Sequence, residues 1–393
     1  MEVLDIVKKL ISNNNYYNEL YDISKIEKIS DYPIITKKDV LLNYDKIFNI
    51  NNKENIIYTQ TSGSTGIPLS IPWNYGEYLN SLMSLWKHRR IHGISLIDMF
   101  LTCHANVDIN VNDNEKQVVI SKNFISLSKN NLSSSMFDNY VNYIDIFRPI
   151  WIYAQPSFVY QLGIYIKNNV PKLLQQFRYI ELVGELLTDE IKNEIKNLFP
   201  QATVISMYGM QEFNGIMYEN KNGMEVLHDN VYVEILRDDE SPCDYNEEGN
   251  IIVTGLKNSV FPLVRYRTED KGKKITLNGN TFYNITSGKS NDSFLHNGCM
   301  YDGSFFFNTI NHYNKLGKGF VSRFQVILKD DIFNIKIYSF DKLPNEKLII
   351  NDFRYILKEK QGIEIDFKIF ITNDINDFIV GSNKQKYFIN KDI

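Results

Sequence analysis

The sequence predicts an α/β protein. It has a large amino-terminal domain of mixed and parallel sheets flanked by helices, a small antiparallel β-subdomain, and a small α+β carboxyl-terminal domain. Three observations predict this. Residues 177–207 read as strand, helix, strand, a βαβ unit that implies a parallel sheet. Residues 231–290 break into short alternating segments separated by Gly, Asn and Asp turns, as an antiparallel sheet or small barrel would. Beyond Gly288 the pattern turns to strands over 320–340, a helix over 345–360 and a strand over 364–371, the size of a small domain. The expected boundaries are a large domain over 1–291, its β-rich part over about 225–291, and a small domain over 292–393.

Composition limits the function classes. The chain has 393 residues, 43% hydrophobic and 13% aromatic, enough for a large core in two or three domains. A net charge of −4 leaves no general footprint for nucleic acid. No apolar stretch is long enough for a membrane span, and residues 1–15 lack a basic region followed by an apolar core, so no secretory signal is expected. Cys103, Cys243 and Cys299 lie far apart without a C-x-x-C pair, which suggests neither a zinc knuckle nor a disulfide framework. A reducing cytoplasm is the expected location.

The elements follow in order. Val3, Leu4, Ile6, Val7 and Leu10 fall on one side of an opening amphipathic helix. Tyr32-Pro33 is extended, and Thr36 then caps a helix. Ile56-Ile57-Tyr58 reads as a strand and Leu69 to Trp73 as another. Between them Thr61-Ser62-Gly63-Ser64-Thr65-Gly66 is a run of small, hydroxylated and glycine residues that cannot fill a core. Its glycines let the backbone bend sharply, and its N–H groups and hydroxyls can converge on an anion the size of a nucleotide's phosphates. An ordinary Ser/Thr/Gly loop is the bland alternative. The run is not the G-x-x-x-x-G-K-[ST] phosphate loop, because no Lys follows Gly66.

Residues 75–92 read as a helix. His88 and His92 share a face four residues apart, and a solvated face with Arg89 and Arg90 is expected there rather than a metal site, because no Glu follows His88. Residues 95–103 read as a strand, 134–147 as a helix closed by Pro149, and 150–153 as a buried strand. Phe177 to Val183 is a strand broken by Gly184-Glu185. Thr188 then caps a helix with Asp189 and Glu190 in its first turn and Ile191, Ile195, Leu198 and Phe199 in one stripe, and Pro200 ends it. Ala202 to Met207 is the next strand, leading into Tyr208-Gly209-Met210-Gln211-Glu212. Ligands of parallel sheets sit at the carboxyl ends of strands, where both Gly184-Glu185 and Tyr208 to Glu212 lie.

These segments together resemble the adenylate-forming superfamily of acyl-CoA synthetases and related ligases. The nearest likeness is to its phenylacetate–CoA ligase-like branch, which includes capsule-biosynthesis adenylating proteins. The residues that carry it are ordered along most of the chain: YPIITKKDV, TSGSTGIP, YAQPSFVYQLG, ELVGELL, SMYGMQE and GNIIVTGLKNSVFPLVRYRTED. The resemblance implies two steps. ATP and a carboxylate give an acyl-adenylate and pyrophosphate, and a second nucleophile, usually a thiol, displaces AMP. Such chemistry needs a metal and preorganised charge near the α-phosphate.

By position, the resemblance implies that Thr61, Ser62, Gly63, Ser64, Thr65 and Gly66 wrap the β- and γ-phosphates, with Thr65 and Ser62 the foremost hydroxyl contacts. Gly184 and Glu185 flank the adenine, and Tyr208 and Gly209 stack on it or approach the α-phosphate. Glu212 helps hold Mg²⁺; its bland alternative is a surface carboxylate at a helix start. Asp270 accepts the ribose hydroxyls. Glu269 stands where the family commonly has Gly, and Arg265 and Arg267 read equally as salt-bridge residues of an exposed strand. Lys289 replaces the usual hinge Arg, keeping charge but losing the forked donor, and Asp292 is the hinge about which the mobile tail domain rotates between half-reactions. Lys384 takes the catalytic lysine's role near the α-phosphate, with Lys386 as competitor; a solvated terminal lysine is the alternative.

The acid pocket is expected to use His104, Tyr153 and Met210, with His104 equally readable as a hydrogen-bonded loop residue. The resemblance favours an aromatic or small carboxylic acid. The acceptor is coenzyme A, a carrier protein's phosphopantetheine thiol, or an amine in capsule or secondary-metabolite biosynthesis. Transfer through a cysteine near the carboxyl terminus is disfavoured, since the last cysteine is Cys299. Dimers occur in related ligases, so a homodimer is open. A nucleotide-binding regulator without turnover is the other class, motivated by Glu269 and Lys289.

Overall fold

The structure is a computed structural model. It describes residues 2–20, 22–49, 55–61, 69–104, 117–128, 134–185, 187, 189–287, 293–296, 299–302, 305–319, 321, 323–339, 343–374, 377–378 and 388–391. In chain order, the amino-terminal helices are α1 (Val3–Ile11), α2 (Asn15–Leu20), α3 (Lys37–Leu42) and α4 (Tyr44–Ile47). Strands β1 (Ile56–Gln60) and β2 (Ser70–Asn74) lead into α5 (Tyr75–Ile91). Then come β3 (Phe100–His104), β4 (Val118–Ile120), β5 (Phe124–Ser128), α6 (Ser134–Phe147), β6 (Trp151–Ala154), α7 (Pro156–Asn169), β7 (Tyr179–Val183) and α8 (Asp189–Leu198). A run of strands follows: β8 (Thr203–Met210), β9 (Asn214–Asn220), β10 (Gly223–Val226), β11 (Val231–Leu236), β12 (Glu248–Gly255), β13 (Tyr266–Leu277), β14 (Asn280–Ser287), β15 (Ser293–His296) and β16 (Cys299–Asp302). The tail holds α9 (Phe305–Lys315), β17 (Arg323–Lys329), β18 (Ile332–Tyr338), α10 (Glu346–Tyr355), β19 (Phe367–Ile371) and β20 (Phe388–Asn390).

The chain divides into two compact units. The first comprises Met1–Asp98, Tyr179–Gly184 and Thr203–Gly288. Its main sheet runs β11-β12-β13-β14-β10-β9-β8-β7, with β7 parallel to β8 and the other neighbours antiparallel. The antiparallel strands expected over residues 231–290 are present, hydrogen-bonded into the same sheet as β7 and β8. The cap foreseen at Thr36 is present and is part of a capping box: its hydroxyl accepts from Asp39 N, and Asp39 Oδ2 accepts from Thr36 N at 2.8 Å. Val7 and Ile11 of α1 are buried, with Val3, Leu4, Ile6 and Leu10 packed against the same core.

The amino-terminal segment is clasped to residues 260–267. The Tyr17 hydroxyl donates to Pro262 O at 3.1 Å and accepts from Val264 N at 3.0 Å. Ile35 N donates to Arg265 O at 3.1 Å, and Arg267 N donates to Ile35 O at 2.9 Å. Arg265, which read equally as a salt-bridge residue of an exposed strand, does form an ion pair, but it is buried just before β13. Its guanidinium donates to Tyr32 O at 2.6 Å and pairs with Glu234 at 3.0 Å, so its burial is compensated. Arg267 is half-buried, and its Nε has no partner among the described residues.

Helix α5 also departs from expectation, because its His88–Arg89 face is not solvated. The Arg89 guanidinium grips the Glu181 carboxylate of β7 with two bonds, Nε–Oε2 at 2.9 Å and Nη2–Oε1 at 2.7 Å, and Glu181 is fully buried. The Tyr179 and Tyr218 hydroxyls both donate to Glu181 Oε2, at 3.2 and 2.8 Å. His88 stacks on Tyr218 and His92 on Tyr179, with ring centroids 4.6 and 5.2 Å apart.

The second unit comprises Met99–Arg178, Glu185–Ala202 and Lys289–Ile393. One sheet runs β6-β3-β5-β4, with β3 parallel to both β5 and β6 and β4 antiparallel to β5. The strand expected from residue 95 begins only at Phe100. Residues 95–98 instead turn, with Asp98 Oδ2 accepting from Ser95 N at 2.7 Å, and Ile97 is 87% exposed. Helix α7 packs on α8 at Gly163, where an added Cβ would lie 2.8 Å from the Phe199 ring. A second sheet, β19-β18-β17-β20, carries a core that includes Phe306, Val326, Ile335, Ile349 and Phe353. Among the described residues no helix is long and apolar enough to cross a membrane.

Candidate active site

In the first unit three segments from the sequence analysis meet. Strands β1 and β2 form an antiparallel hairpin whose connecting residues, 62–68, include Ser62, Gly63, Ser64, Thr65 and Gly66 and lie outside the described residues. The neck of that connection is closed. Thr61 N donates to Leu69 O at 3.0 Å, and Leu69 N donates to Thr61 Oγ1 at 2.9 Å. Two residue pairs further along the hairpin, Thr59 Oγ1 donates to Gln211 O at 3.1 Å. This ties the base of the glycine-rich run to the segment that carries Glu212.

Strand β8 runs through Tyr208, Gly209 and Met210, three residues beyond the end expected from the sequence. Gly209 is required there: a Cβ would lie 2.4 Å from Asn214 O, where β9 returns with a register shift. Glu212 follows in the β8–β9 turn. It is not the surface carboxylate at a helix start that the sequence left open, since it is 5% exposed and flanked by strands. Its Oε1 accepts from the Tyr266 hydroxyl at 3.2 Å. Burial first, then the Glu212 charge, pushes the Tyr266 hydroxyl up from its ordinary value, so the phenol stays a donor.

Asp270 lies four residues along β13 from Tyr266, and its Oδ2 accepts from the Tyr208 hydroxyl at 2.7 Å. Burial, and next the Asp270 charge, holds the Tyr208 hydroxyl well above its usual range. Two tyrosine–carboxylate pairs thus cross-link the segments 208–212 and 266–270, each tyrosine reaching the other segment's acid or being reached by it. Tyr266 and Thr59 were missed in the sequence, and only the fold brings them to these partners. Between Tyr266 and Asp270, Glu269 has φ of 68°. That backbone favours glycine, so the glutamate holds a conformation that side chains rarely adopt. Gly184 closes β7 with φ of 82°.

In the second unit, Glu185 holds the start of α7: its carboxylate accepts from Ser157 N at 3.1 Å and from Ser157 Oγ at 2.9 Å. His104 is the last residue of β3 rather than a loop residue, and its Nδ1 lies 2.7 Å from Ser126 Oγ on β5. Tyr153 lies on β6 beside Thr102. Met210, in the first unit, packs against the core. Lys289, Asp292, Lys384 and Lys386 lie outside the described residues.

Among the described residues no group of three His, Cys, Asp or Glu side chains is arranged to hold a metal ion. One buried carboxylate still fits Mg²⁺, which keeps several waters and takes phosphate oxygens alongside one or two carboxylates. Glu212 is the residue of this site with that chemistry.

No family model matches the chain. It is 22% identical to the phenylacetate-coenzyme A ligase of Escherichia coli (strain K12) over 292 residues, 70% of this chain. The match spans 64% of that curated relative's length. Its fold matches 2-hydroxyisobutyryl-CoA ligase in the postadenylation state in complex with 2-HIB-AMP, with a TM-score of 0.73 at 15% identity over 99% of this chain and 88% of that one. It also matches the O-succinylbenzoate coenzyme A synthetase of Bacillus subtilis in complex with ATP and magnesium ion, with a TM-score of 0.52 at 16% identity over 83% and 67% of the two chains. The chain has the fold of the adenylate-forming ligases, and its sequence is similar to that of phenylacetate-coenzyme A ligase.

Proposed function

We propose that the chain activates a carboxylic acid, small or aromatic, with ATP and Mg²⁺ as the acyl-adenylate, and then passes the acyl group to a thiol such as coenzyme A. The observation that carries this is the cross-linked pair of carboxylates, Glu212 and Asp270, held by Tyr266 and Tyr208 beside the tethered neck of the glycine-rich run. A nucleotide needs these two acids for different tasks: one for the phosphate-bound cation, one for the vicinal ribose hydroxyls.

In this reading residues 61–66 supply backbone N–H groups and hydroxyls to the β- and γ-phosphates, and Gly184 and Glu185 border the adenine. Asp270 takes the ribose, with the Tyr208 hydroxyl fixing its carboxylate. Mg²⁺ shields phosphate charge when bound, and Glu212 is the chain's ligand to it. Lys384 places an ammonium near the charge that develops on the α-phosphate, and Lys289 adds a second cation. His104, Tyr153 and Met210 contact the acid. Residues 292–393 act as a lid turning about Asp292.

The test is a panel of carboxylic acids mixed with the protein, ATP and Mg²⁺, read as pyrophosphate release. Acid-dependent release supports the reading, whereas nucleotide binding without release with any acid favours a regulator. Lys384→Ala should lower the adenylation rate by at least about 100-fold, the order of one lost electrostatic contact to a transition state, with ATP affinity nearly intact. Full rate in that variant rejects the lysine assignment.

A further inference from the structure

Beside Glu212, still within the first unit, lies a small cavity lined by Trp73, Glu212, Lys257, Asn230, Asn258 and Phe261, among others. A water-sized sphere has about 10 Å³ to move in, at the lower edge of the about 10–15 Å³ that one water molecule needs. Trp73 is 2% exposed, and its indole Nε1–H has no partner among the described residues. A buried donor left so is uncommon in a stable fold.

Neither asparagine takes the indole N–H. Asn230 Nδ2 donates to Ser81 O, and its Oδ1 accepts from Ser84 Oγ. Asn258 Nδ2 donates to Pro72 O, and its Oδ1 accepts from Val260 N and Phe261 N. Of the residues that line the cavity, Trp73 brings an indole N–H and Glu212 a carboxylate, with Lys257, whose charge also acts on Asp229, at its border. A cation is repelled by the indole N–H. An anion is repelled by Glu212 and is too large. Water alone matches both groups, accepting from the indole and donating to the carboxylate.

We propose that this cavity holds one water that joins the Trp73 indole to the Glu212 carboxylate, and that Trp73 is thereby a positioning residue for the Mg²⁺ ligand. Tyr266 fixes Glu212 Oε1 directly, and the water fixes the carboxylate from the cavity. Groups of this kind behind a metal ligand set its orientation, and their loss costs metal affinity rather than nucleotide affinity. The inference rests on Glu212 being the Mg²⁺ ligand.

The test uses Mn²⁺ as a spectroscopic stand-in for Mg²⁺, titrated into the full chain with a non-hydrolysable ATP analogue. Trp73→Phe should weaken Mn²⁺ binding by about 10-fold, the lower end for a lost second-layer partner, while metal-free nucleotide affinity stays unchanged. A crystal structure of the unaltered chain keeps the proposal testable if Trp73→Phe does not fold. That structure should show one water within hydrogen-bond distance of both Trp73 Nε1 and Glu212. Unchanged Mn²⁺ affinity in the folded variant, or no water at that point, overturns the proposal. If the unaltered chain takes up nucleotide but no Mn²⁺, the reading of Glu212 itself falls, and with it the wider assignment of the site.

Discussion

Glu181 is the single charged residue in Tyr179-Ile180-Glu181-Leu182-Val183, and it is fully buried. A carboxylate in such a place must find a cation and hydrogen-bond donors or lose its charge. It finds Arg89, 92 positions earlier, and the hydroxyls of Tyr179 and Tyr218. Burial, then the Glu181 charge, drives both phenols up from their usual range, so they remain donors. Arg89→Met strands the carboxylate and should cost about 3–5 kcal/mol of stability, read as a lowered urea midpoint. The double change Arg89→Met with Glu181→Met should recover most of the loss, because no charge is then left buried. A lone acid within an apolar strand was the one signal in the sequence that pointed to such a pair. Nothing local named Arg89 as the other half, since His88 to His92 read as a solvated helix face.

At the scale of elements, β7, α8 and β8 were legible because their punctuation is local. Gly184 breaks the strand, Pro200 ends the helix, and Ile191, Ile195, Leu198 and Phe199 form one stripe, all of them buried in the fold. Residues 95–99 were not legible, because Leu96 and Ile97 are apolar yet face solvent in a turn held by Asp98. The same contrast holds in the site. The order of Tyr208, Glu212, Tyr266 and Asp270 is visible in the sequence, but their pairing depends on β8 and β13 being brought into range, which no local period encodes. Packing of α7 on α8 gives a prediction at this scale. Gly163→Leu would drive a side chain into Phe199 and Leu198 at the contact, and overpacking of this kind should cost about 1–3 kcal/mol, measured by thermal unfolding.

For the molecule as a whole, acid sensitivity follows from the two histidines on α5. Desolvation lowers the His88 and His92 pKa from the ordinary 6.5, with Glu181 opposing it at both. The folded chain therefore keeps both imidazoles neutral at a pH where the unfolded chain protonates them. Their contribution is fully present above about 6.5 and is lost as pH falls from there through their lowered native values. Chemical denaturation across pH 7 to 5 should show falling stability, and His88→Phe with His92→Phe should flatten that slope. A slope unchanged in the double variant would assign the acid sensitivity to other groups.

The clasp between the amino-terminal helices and residues 260–267 has one more consequence. Tyr17, Tyr32 and Ile35 hold the stretch that leads directly into β13, the strand that carries Tyr266 and Asp270. Their grip is a set of non-covalent bonds, and the peptide chain itself continues through residues 50–54. Severing the chain there would leave two pieces whose broken surfaces match, so a synthetic peptide of the first 49 residues should dock back onto the remainder and restore nucleotide capture in trans.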